Sequence, residues 1–257
     1  MKRLTRAPAA LLTILALTVS AHPRQQSATN QEVLTRARAA YYSLAKKGFK
    51  GFTASVEPNW EVILGNTATP ASLKVFRAVQ FSMVVDANGT VTAVTHEAGA
   101  NAAKPELQPT VNRIHSDVQR LVAGFFNTWR IFTVNSPFPE TEIQIENPGK
   151  HYNFSYTTPN SKVTVTMIDD FSITEWQLAG PTVKRTVKPQ FQKTADGFLL
   201  TAYQALFEPV GEGIRTKLDF QIEYQELSGM KVPFKVRLSG MHGSEPVEAE
   251  LVFRVKS

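Results

Sequence analysis

The chain contains no cysteine, so no disulfide can staple the fold and no thiolate is available as a nucleophile or metal ligand. A fold of this length must then be held by an ordinary buried core. Beyond the first two dozen residues there is no long apolar run free of charges, which argues against a membrane span in the body of the chain. His22, His96, His115, His151 and His242 lie far apart in sequence, none paired with another at metal-ligand spacing, and no metal is expected. Neither a GxSxG elbow nor a glycine-rich phosphate loop is present, so no cofactor is expected either. The excess of positive charge is small: the formal charge of +6 falls to +3 when Lys2, Arg3 and Arg6 are set aside with the leader. That balance is too mild for nucleic acid, which calls for a concentrated basic face.

Those three cations precede a largely apolar run from Ala9 to Val19 and the small residues Val19-Ser20-Ala21, the pattern of an export signal at 1–21. The run is too short for the roughly 20 residues that span a bilayer. Cleavage before His22 would release a protein that is not integral to the membrane, and without a cysteine there is no site for a lipoprotein anchor. The expected address is the periplasm or the medium.

A polar linker at 22–30 leads into a helix, signalled by a capping box at Thr29 and Glu32. Val33, Leu34, Ala37, Tyr41, Leu44 and Ala45 continue the helical period to about residue 47, with Gly48 as its cap. Pro58 interrupts any strand, "WEVIL" reads as a short buried segment, and 71–79 reads as a second helix. "VQFSMVVDANGTVTAVTH", 79–96, is a hairpin whose Asn88-Gly89 suits a type I′ turn. From Pro109 to about Ile131 an apolar stripe with helical spacing predicts the longest helix, turning aromatic at Phe125, Phe126, Trp129 and Phe132. From about 142 onward only alternating runs and turn signals remain. In "IEYQELSGMKVPFKVRL" the residues Ile222, Tyr224, Val232, Phe234, Val236 and Leu238 form the apolar set, and Pro233 points to an edge or a bulge. The expectation is one α+β domain over 31–257: a large curved antiparallel sheet, an incomplete barrel, with amphipathic helices packed on its apolar face.

Catalytic candidates are weak. "GMHGSEP", 240–246, puts His242, Ser244 and Glu245 side by side, but its composition is that of a hairpin turn and neighbours in sequence cannot easily align as a triad. Asp169-Asp170 sits between two strand runs as a turn former, and His96 and His115 read as boundary residues. No catalytic residue is assigned, and no enzyme activity is expected. "TVKRTVKPQFQK", 182–193, has two readings: a solvated loop or strand edge protected by lysine, or a contact for an anionic group through Lys184, Arg185 and Lys188. The aromatic stripe also has two readings, ordinary core or the lining of an apolar cleft.

With a leader, an opening helix over 31–47 that runs into "LAKKGFKGF", and "FQIEYQELSGMKVPFKVRL" with its Tyr224, Gly229 and Pro233, the chain resembles the LolA-like family of periplasmic lipoprotein-carrier and lipid-binding proteins. The helix at 109–131, the segments before it and the insertion around "EPNWEVILG" depart from a minimal carrier. The resemblance implies an incomplete barrel with helices over its mouth that binds an acyl chain or an acylated protein without chemistry. Phe125, Trp129, Phe220, Tyr224, Phe234 and Phe253 are the expected lining. The alternative is an envelope interaction or sensing module with a filled core and no small ligand.

Overall fold

The computed structural model describes residues 29–146 and 151–256; the expected export signal and most of the linker after it lie outside them. Helix α1, Asn30–Ala39, starts at the capping box, where Glu32 N–H donates to Thr29 Oγ1 at 3.3 Å and Thr29 N–H to Glu32 Oε2 at 2.7 Å. It ends eight residues before the position that its apolar period predicts. The chain leaves the helix so that Tyr41 can pair with the start of a strand: Phe198 N–H donates to Ala40 O at 2.8 Å and Tyr42 N–H to Phe198 O at 3.1 Å. Gly197 permits this approach, since a Cβ there would stand 2.7 Å from Ala40 O. A single 3₁₀ turn at Ala45–Lys47 follows, and Gly48, in the left-handed region, closes that turn instead of an α-helix.

Strand β1, Phe52–Pro58, is absent from the sequence reading, although Phe52, Ala54 and Val56 are its buried alternate residues. Helix α2, Trp60–Leu64, begins at Asn59, whose Oδ1 accepts from Val62 N–H, and helix α3, Pro70–Phe76, begins at Thr69. The hairpin is β2, Val79–Val85, and β3, Val91–Ala98. Its turn is not type I′. Only Gly89 has positive φ, and Asp86 Oδ1 accepts from Asn88 and Thr90 N–H while the register slips at Val84/Val85. The carboxylate holds a longer, bulged loop where two residues in the left-handed region would otherwise be needed.

Helix α4, Gln108–Thr133, is 26 residues long, about 39 Å at 1.5 Å per residue. The following strands are β4, Gln144–Glu146, β5, His151–Thr158, β6, Ser161–Ile168, and β7, Ile173–Ala179. Then come β8, Val183–Thr194, β9, Gly197–Pro209, β10, Thr216–Leu227, β11, Met230–His242, and β12, Glu245–Lys256. All join one antiparallel sheet of twelve strands in the order β3, β2, β1, β12, β11, β10, β9, β8, β7, β6, β5, β4. The sheet does not close: β3 and β4 are its two edges, and α4 is the connection that carries the chain from one to the other. Pairing of β1 with β12 is the one step in that order that joins strands distant in sequence.

Alternation gives the sheet a wet face and an apolar face. On the wet face Arg237 meets Glu223 and Glu250, and Arg254 meets Glu57. The apolar face and α4 enclose a continuous core. The last carbonyls of α4 find partners in the chain after α1: Leu44 N–H donates to Thr133 O at 2.9 Å and Ala45 N–H to Val134 O at 3.0 Å. These bonds satisfy helix-end groups that the helix itself leaves unpaired.

Candidate functional site

The expected aromatic lining is mostly core. Phe125 stacks on Phe253 with ring centroids 6.2 Å apart and on Phe220 at 6.3 Å, while Trp129 meets Phe126 edge-on at 5.3 Å. All five rings are buried. Tyr224 is half-buried, and its hydroxyl donates to Leu200 O at 2.5 Å; burial pushes its phenol pKa up. Phe234 departs furthest from expectation. Pairing runs Glu223 to Lys235 and then Tyr224 to Pro233, so Phe234 is the extra residue of a β-bulge. Pro233 is thereby the buried partner of Tyr224, and Phe234 lies outside the core cluster. Pro233 does mark a bulge, though β11 is an interior strand and not an edge.

The basic run 182–193 is likewise interior, as β8. Lys184 and Lys188 are exposed, and Lys188 pairs loosely with Glu175 at 3.8 Å. Arg185 points to the opposite face, under α4, where it donates to Thr128 Oγ1. The three cations therefore do not form one cluster. His96 and His115 do come together, with ring centroids 4.6 Å apart, and His115 Nε2 donates to Val94 O at 2.9 Å. No group of three metal-ligating side chains occurs among the described residues.

Where sheet and helices fail to close is elsewhere. A groove of about 560 Å³ runs between the first half of α4 and the ends of β11 and β12, walled by α2 and α3. The volume falls within the usual range for small-molecule sites. Ile114, Val118 and Leu121 line it from α4, Leu238, Val247 and Ala249 from the sheet, and Trp60, Ile63, Leu64 and Phe76 from the short helices. Arg113, Asp117 and Glu248 stand at its polar margin. The α2 wall is tied to the sheet: Asn59 N–H donates to Glu250 O at 2.8 Å and Asn59 Nδ2 to Glu250 Oε1 at 3.1 Å. Arg237 Nε donates to the same carboxylate at 2.7 Å, and these bonds hold the Glu250 pKa below the usual carboxylate range. A hollow of similar size beside Asp170, Lys188, Gln204 and Asp219 mixes those polar groups with Ile173, Phe191 and Phe198 and has a smaller apolar wall than the groove.

Sequence reasoning names none of the groove residues as lining. The available signal was "NWEVIL", an asparagine cap followed by a cluster of large apolar residues too short to bury itself. No helix among the described residues is long and apolar enough to cross a membrane. No family model, curated protein or solved structure matches the chain.

Proposed function

We propose that this chain is an exported, non-catalytic binding protein of the periplasm or medium that holds an apolar or lipidic ligand, a lipid or an acylated protein, in the groove beside α4. The observation that carries the reading is the groove itself: an apolar trough on an otherwise well-packed core. An acyl chain gains about 0.8 kcal/mol per buried CH₂, so a dozen methylenes supply roughly 10 kcal/mol before the entropic cost of association. Binding of that kind needs shape and apolar surface, not a nucleophile or a base. The reading keeps the carrier role that the LolA-like resemblance implies but moves the ligand from the aromatic stripe to α2, α3 and the β11–β12 end of the sheet.

Burial of Phe125, Trp129 and Phe253 favours a second reading, an envelope interaction module with a filled core. One experiment separates the two. The chain is expressed with its leader in a bacterial host, purified without detergent, and compared by native and denaturing mass spectrometry after organic extraction. Fatty acid or phospholipid released on denaturation, with uptake of a fluorescent fatty acid abolished by Leu121→Arg or Ile63→Arg, is the expected result. A clean apo mass with no uptake would remove the carrier reading in favour of the interaction module.

A further inference from the structure

Arg185 is a cation held under a helix without an acid. Its guanidinium carbon lies 5.4 Å from the centroid of the Phe207 ring and 5.8 Å from that of Trp176. Thr128 Oγ1 accepts from one terminal nitrogen, and Nε is buried with no partner among the described residues. All 22 acidic side chains of the chain fall among the described residues, yet none of the ten ion pairs found there includes Arg185. Burial lowers its pKa, but a guanidinium remains charged and carries five N–H donors. A bond to Thr128 that merely pins α4 to the sheet needs one neutral donor. A fork of donors kept inside, unneutralised, is an arrangement that suits an incoming oxyanion.

The lining of the groove stops short of Arg185, at Leu121 on α4 and Leu238 on β11, but both walls continue beyond it. Ile114, Val118 and Leu121 line the groove from α4, and the helical period continues that face to Gly124 and Thr128. Gly124 is exposed, and beyond the helix's own backbone no atom lies within 4 Å of where a Cβ would stand, so the flank of α4 is open at this point. Seven residues of helix, about 10 Å, separate Leu121 from Thr128. On the sheet the same path is continuous in register. Val247 of the groove faces Gly240, Gly240 faces Leu218, Leu218 faces Ala205, and Phe207, two residues beyond Ala205, faces Arg185. Leu121, Leu218 and Phe207 along this path are all half-buried.

We propose that Arg185 anchors a single oxyanion, a carboxylate or a phosphate, at the head of an amphiphile whose tail lies in the groove. The proposal rests on the groove-binding reading, and its test keeps the two apart. Binding of oleate, oleyl alcohol and oleoyl-lysophosphatidate to the full chain is measured by calorimetry for the wild type, Arg185→Gln and Arg185→Lys. Hydrogen bonds to charged groups are worth about 1.5–3 kcal/mol, so the wild type should bind an anionic probe at least about tenfold tighter than the alcohol. Arg185→Gln should abolish that preference and leave the alcohol unaffected, and Arg185→Lys should retain part of it. The tighter of the two anions then identifies the headgroup as carboxylate or phosphate. Equal binding of acid and alcohol by the wild type overturns the anchor and leaves the groove standing, and does so even if Arg185→Gln does not fold. A preference that survives in a folded Arg185→Gln also overturns it. Failure of all three probes to bind the wild type removes the groove reading, and the anchor with it.

Discussion

The hydroxyl of Tyr41 spans two backbone groups of the turn between β6 and β7: it donates to Phe171 O at 2.7 Å and accepts from Ile173 N–H at 2.8 Å. Tyr41 is buried, and Phe171 between the two bonds has a φ of 67°, a backbone region that disfavours a side chain of its size. One phenol thus joins the segment after α1 to the far part of the sheet and holds a strained turn in place. Tyr41→Phe would leave a buried carbonyl and a buried N–H unpaired, each worth about 1–3 kcal/mol. Thermal unfolding of the variant should therefore fall by several degrees, at roughly 2–4 °C per kcal/mol for a chain of this size. An unchanged Tm would mean that the bridge does not form in solution.

Trp129 and Phe234 look equivalent in an apolar pattern, and the fold separates them. Trp129→Ala should destabilise by about 3–5 kcal/mol, as expected for emptying a packed aromatic site. Phe234→Arg should fold with a change of no more than about 1 kcal/mol, because the bulge has already taken that side chain off the core. Denaturant titration of both variants is sufficient. Similar losses for the two would return Phe234 to the buried face and put the bulge in doubt.

Burial raises the phenol pKa values of Tyr41, Tyr203, Tyr224 and Tyr156, the first three strongly. A phenol whose folded pKa exceeds its unfolded value near 10 stabilises the fold fully below that value and loses the contribution as pH rises above it. The protein should therefore weaken progressively above about pH 10. In an ultraviolet titration Tyr41, Tyr203 and Tyr224 should ionise only with unfolding, as a cooperative step that coincides with the loss of circular dichroism. Smooth, reversible ionisation of every tyrosine near pH 10 in the folded protein would contradict their burial.

Most of the sheet was legible in the sequence because alternation is a local property: an amino acid at every second position faces the same side wherever the strand lies. The alternation read from about 142 onward is met by β4 to β12, and the long helix extends only two residues beyond its predicted end. Strand β1 escapes a local reading because Pro58 weighs against a strand, whereas here it ends one. Strand β8 reads as a solvated run because Lys184 and Lys188 dominate its composition, yet a strand in the interior of a one-sided sheet still has a face exposed to water.

What the sequence determined by itself was the inventory of faces: an apolar stripe on α4, alternating strands from 142 onward, and the absence of cysteine and of any paired metal-ligand motif. Tertiary structure alone decided which faces meet. The bulge at Phe234, the inward turn of Arg185 and the pairing of β1 with β12 depend on register between segments, and register is a relation between strands that no single segment encodes. The same holds for the groove. Its walls come from α2, α3, α4 and the β11–β12 pair, elements that no local pattern brings together.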